Sequence, residues 1–149
     1  VFELGNAIGQ RDPRRAIQLL DQLLNQGESA VGILLAAIVP KMRNLVLARD
    51  MVERHRLGVG HYQSFLKQLE NLPEAETAHL PRKKDGGLNA YPLFLAAGEG
   101  GRFTATELRS GLRACLRANH RLVSSSMEPR VVLSQLIVEI LTNATARAA

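Results

Sequence analysis

Apolar residues recur along this chain at steps of three and four, the repeat of amphipathic helices with one buried face. Phe2, Leu4 and Ile8 predict a short opening helix, ended by Gly9. Asp12 and Pro13 read as the cap and first residue of a second helix, because proline lacks only an N–H that the first turn leaves unpaired. Its stripe is Ala16, Leu19, Leu20, Leu23 and Leu24, and Gly27 is its stop. Ser29 then caps a long helix from Ala30 to Glu53, with Leu34, Leu35, Ile38, Met42, Leu45 and Val46 at helical spacing. Pro40 falls inside it, where it deletes one backbone hydrogen bond; a kink, or two helices meeting near Val39, is expected.

The second half continues the pattern. A turn over Leu57 to Gly60 precedes a helix from Tyr62 to Leu72 with Phe65, Leu66 and Leu69 inward. Pro73 to Asn89 carries two prolines, the basic run Arg82-Lys83-Lys84 and a Gly-Gly pair, and reads as an exposed loop. Asn89 is positioned to cap a fifth helix, Ala90 to Ala97, closed by Gly98. Thr104 and Glu107 have capping-box spacing at the head of a helix to Ser124, with Leu108, Leu112, Cys115, Leu116 and Leu122 inward. Pro129 opens a last helix, apolar on a wide arc from Val131 to Leu141, which places it at the bundle centre or partly against another subunit. The Ala-rich tail after Thr142 is expected to fray. The sum is an all-α fold, a compact bundle of about seven helices, in a single domain over residues 1–149.

Composition sharpens this. Aromatics make up 4% of the chain, so Leu, Ile, Val and Ala must fill the core, which favours helices over a sheet sandwich. The first residue is Val1 with no signal-peptide pattern after it, as expected of a domain cut from a longer chain. Lys41 and Arg43 interrupt the most apolar stretch, Ala30 to Ala48, which argues for a buried helix and against a membrane span. The net charge is +5, and residues 80–130 hold nine Lys/Arg against four Asp/Glu while the flanking segments balance, so a local basic surface is expected.

Candidate chemistry is sparse. Cys115 is a lone thiol among apolar neighbours, compatible with a reducing cytoplasm. His55, His61, His79 and His120 form no metal or catalytic spacing. Gly98-Glu99-Gly100-Gly101 lacks the preceding strand and the lysine of a phosphate loop. No cofactor, metal or catalytic residue is expected. One pattern is charged and periodic: Arg109, Arg113, Arg117 and Arg121, spaced by four, form a slowly drifting ridge on one helix. It reads either as a solvated face or as a surface for an acidic partner or nucleic-acid phosphates.

Two stretches resemble a known family. Phe2-x-Leu4-x-x-Ala7-Ile8, then Ala16-x-x-Leu19-Leu20-x-x-Leu23, Gly27-Glu28, Ile33-Leu34-Leu35 and Met42-Arg43-Asn44-Leu45 resemble the start of the C-terminal domain of the bacterial DNA polymerase III delta subunit. Phe103-Thr104, Glu107-Leu108, Leu122, Ser124-Ser125 and Pro129 to Leu133 resemble its final two helices. Asn119 and Val123 depart from an acidic residue and a lysine common there, and Pro40 is unusual. The resemblance implies a non-catalytic, cytoplasmic assembly domain: part of a helical collar joining the clamp-loader subunits that place the sliding clamp on primed DNA. Clamp, ATP and DNA contacts then belong to the wider complex. A collar domain of a sister clamp-loader subunit, or a helical nucleic-acid-binding module using the basic segment 82–121, is the alternative.

Overall fold

The computed structural model describes residues 2–142; the Ala-rich tail after Thr142 lies outside the described residues. Among them are eight α-helices and no strand. They are α1 (Phe2–Gly9), α2 (Pro13–Asn25), α3 (Ala30–His55), α4 (Tyr62–Glu70), α5 (Glu74–Thr77), α6 (Ala90–Glu99), α7 (Ala105–Ser124) and α8 (Pro129–Thr142). A 3₁₀ turn, Gly100–Arg102, precedes α7. The all-α expectation holds, and the eighth helix is the short α5 in the stretch expected to be loop. That stretch is more ordered than its composition suggests. Leu80 and Thr77 are buried, and an antiparallel bridge pairs Arg82 with Leu88 around a turn where Lys83 donates to the Gly87 carbonyl at 2.8 Å.

The chain forms two compact units: residues 1–43 with 102–149, and the continuous segment 44–101. In the first, α8 packs along α7 and α2, and α1 packs on α2 and on the start of α3. The wide apolar arc of α8 resolves into six buried residues, Val132, Leu133, Leu136, Ile137, Ile140 and Leu141, while Val131 and Val138 remain exposed. Gly111 allows α7 to approach closely, since a Cβ there would sit 2.5 Å from Met42 Cε and 3.6 Å from Ile140 Cγ1. In the second unit α4 packs on α6 through a cluster of rings: Tyr62 meets Tyr91 and Phe94 edge-on at 5.3 and 5.5 Å, and Phe65 lies 5.6 Å from Phe94.

Helix ends follow local chemistry. Asp12 and Ser29 accept from Arg15 N and Gly32 N as caps. Past α2, Gly27 (φ 92°) donates to the Leu24 carbonyl and Glu28 to that of Leu23, a Schellman ending that glycine makes without steric cost. Two expected end signals differ. Asn89 makes no capping hydrogen bond, and α6 runs through Gly98 to Glu99.

α3 is long and apolar enough to cross a membrane by length and composition. Its apolar residues have another explanation. Ile33, Leu34, Ala37, Ile38 and Met42 are buried in the first unit, and Leu45, Ala48 and Met51 are buried in the second, at helical spacing. Pro40 is accommodated two residues past a π-helical stretch, Leu34–Ile38, at whose end Val39 donates to the Leu34 carbonyl five residues back. The chain thus widens a turn beside the missing donor and continues as one helix.

Candidate functional site

α7 begins with the capping box expected from Thr104 and Glu107. Thr104 Oγ1 accepts from Glu107 N at 3.0 Å, and Glu107 Oε1 accepts from Thr104 N at 2.9 Å. Phe103 and Leu108 flank it at the positions of a hydrophobic staple, and both are buried. The spacing does not reveal that Glu107 also binds Arg11. The Arg11 guanidinium donates to both Glu107 carboxylate oxygens and to the Arg102 carbonyl. Its Nε donates to the Leu141 carbonyl at 3.0 Å, and it lies 4.7 Å over the Phe103 ring. The Glu107 side chain is 2% exposed and that of Arg11 10%. This buried pair ties the α1–α2 turn, the head of α7 and the end of α8 together. The two residues are 96 positions apart, so no local pattern could have announced them.

Twenty residues of α7 follow, with an inward seam of Leu108, Gly111, Cys115 and Ala118. Leu112 and Leu122 are half-buried, and Leu116, expected inward, is 71% exposed. The reason is angular: at about 100° per residue, Leu116 sits roughly 100° from Cys115 and about 160° from Ala118. Burial raises the Cys115 thiol to about 12, with the Glu139 carboxylate adding to the shift, so this thiol is protonated and unreactive near neutrality.

Arg109, Arg113, Arg117 and Arg121 are all exposed. Each step of four advances about 40°, so the ridge winds through roughly 120° along the helix. Arg117 reaches Glu139 of α8 at 2.6 Å. As the arginines drift sideways, the outermost positions pass to Leu116, His120 and Val123, the last 65% exposed. The Arg82-Lys83-Lys84 run belongs to the other unit. That unit carries seven Lys/Arg and seven Asp/Glu; the first unit holds twelve and seven, and with them the whole net charge.

The remaining candidates do not converge. His55 Nε2, itself buried, lies 3.4 Å from Glu76, which also faces Arg54 at 3.5 Å, all within the second unit. His120 is on the outer face of α7, and His61 precedes α4. Gly100 and Gly101 form the 3₁₀ turn before α7. Among the described residues, no group of three or more His, Cys, Asp or Glu is placed to hold a metal ion.

The family model for the C-terminal domain of the DNA polymerase III delta subunit matches residues 1–140. The chain belongs to that family. No curated protein and no solved structure matches it. The delta C-terminal domain is a non-catalytic module. The match runs through both units, including the middle stretch that resembles the family least by motif.

Proposed function

We propose that this chain is the collar domain of the delta subunit, joining the other clamp-loader subunits through helical contacts and so supporting the loading of the sliding clamp onto primed DNA. The observation that carries the reading is the family match across residues 1–140. An exposed α7 face that mixes arginine with Leu116 and Val123 supports it, because such surfaces suit protein association. On this reading the domain works in the cytoplasm, uses no cofactor, and meets DNA and the clamp only through the assembled complex. Size-exclusion chromatography with light scattering, on the chain mixed with the cognate loader subunits, tests it. A stable joint peak is expected.

The exposed arginines favour one second reading, a helical nucleic-acid-binding module. It requires salt-dependent binding to duplex or single-stranded DNA, lost on charge reversal at Arg113 and Arg117. Separate peaks from folded proteins in the mixing experiment, with DNA binding at low salt, would select it.

A further inference from the structure

The outer face of α7 carries a second seam. Arg109, Arg113, Leu116, His120 and Val123 follow one another at steps of four, three, four and three, and all five are exposed. That spacing keeps side chains on one line of an α-helix over about 21 Å, and it is the spacing by which one helix packs along another at a shallow angle. The inward seam of the same helix already packs on its own bundle. α7 therefore presents a complete helix-packing line on each side.

We propose that this outward seam docks a helix of a partner protein, acidic opposite Arg109 and Arg113 and apolar opposite Leu116 and Val123. The inference rests on the reading of the chain as an assembly domain, and names the surface and the partner's chemistry. Charge complementarity selects the occupant. Among the described residues no carboxylate forms an ion pair with Arg109, Arg113 or Arg121, whereas Arg117 is held by Glu139. The surplus is positive, in the unit that holds the whole net charge. A second copy of the chain does not fit. Laid parallel, its seam would set arginine against arginine; laid antiparallel in full overlap, it would set Arg109 against Val123 and Arg113 against His120. A nucleic-acid backbone would satisfy the arginines but leave Leu116 and Val123 uncovered, and α7 carries no Phe, Tyr or Trp for base stacking.

The test uses the full-length subunit and its cognate loader subunits, with two double variants, R109E/R113E and L116D/V123D. All four side chains are exposed, so thermal unfolding of either variant should match wild type. Affinity for the partner subunits, from titration calorimetry and from the joint chromatographic peak, should fall at least tenfold for each variant. The wild-type advantage over R109E/R113E should shrink as salt rises, and that over L116D/V123D should not. R109K/R113K should keep most of the affinity.

Three results would overturn the proposal. A wild type that assembles, with both variants assembling equally well, removes this surface and leaves the assembly reading intact. A wild type that stays apart from its cognate partners removes both. If R109E/R113E loses binding to a labelled primer–template and L116D/V123D keeps both DNA and partner binding, the arginines serve phosphates instead.

Discussion

Arg11 occupies a backbone position that usually belongs to glycine. Past α1 it donates to the Ile8 carbonyl and Asp12 donates to that of Ala7, the same Schellman geometry that Gly27 completes past α2. Its φ is 57°, a left-handed conformation that costs an ordinary residue about 1 kcal/mol. The cost is offset because only this placement brings the guanidinium to Glu107, Phe103 and two carbonyl oxygens. Removing either partner strands a buried charge, and such losses run to about 3 kcal/mol or more. Glu107→Ala, which also opens the capping box, should therefore lower unfolding stability by at least about 3 kcal/mol in urea titrations. Arg11→Gly should be less damaging than Arg11→Ala by roughly 1 kcal/mol, since glycine relieves the backbone while losing the same contacts. Equal losses in the two variants would show that φ carries no strain. Cys115 gives a second expectation at this scale. Its thiol is raised to about 12 in the folded chain, so the unfolded chain ionises first as pH rises. Its contribution to stability is complete below about 8.5, the ordinary thiol value, and declines as pH climbs towards 12. Thiol reagents at neutral pH should label it only at the rate at which the helices open.

Among the elements, the helices closed by local chemistry are legible in the sequence alone. Asp12, Ser29 and Thr104 act on backbone groups within three residues, so their sequence positions already contain the geometry. Thr104→Ala should accordingly cost about 1 kcal/mol, measurable as a lowered melting temperature. What the pattern misplaces depends on partners far along the chain. The Pro73 to Asn89 stretch looks structureless by composition, yet Leu80 and Thr77 find burial there and Arg82 donates to the Thr77 carbonyl. Leu116 groups with the inward residues by hydrophobicity alone, and only the packing of α7 decides which stripe is covered. The arginine ridge is legible as a spacing; its sideways drift and the capture of Arg117 by Glu139 are not, because the second helix sets them. Gly111 belongs to the same class. Its role in the close approach of α7 to Met42 predicts that Gly111→Leu overpacks the interface and destabilises by about 1–3 kcal/mol, read by denaturant unfolding. Alanine there should do less harm, since Met42 presents a flexible end and the helix gains propensity.

Taken whole, the molecule distributes its features unequally. The segment 44–101 is electrically balanced and holds four of the six aromatic residues; the other unit holds the charge surplus and the Arg11–Glu107 pair. Native-state hydrogen exchange should therefore resolve two groups of amides, with α4 and α6 sharing one opening free energy and α2, α7 and α8 another. A single shared value for all five helices would show that the units open together.

The ion pair between Arg130 and Asp21, with Asn25 accepting at 3.0 Å beside it, has a consequence in time. It fastens α8 to α2 across 109 residues of chain. A ribosome adding about 5–20 residues per second leaves α2 without that neighbour for on the order of ten seconds. During that interval the contiguous segment 44–101 emerges with its own core complete, while the part of the α2 stripe that α8 covers waits in solvent. A nascent chain halted before Pro129 should therefore hold a folded middle and an exposed, chaperone-accessible beginning.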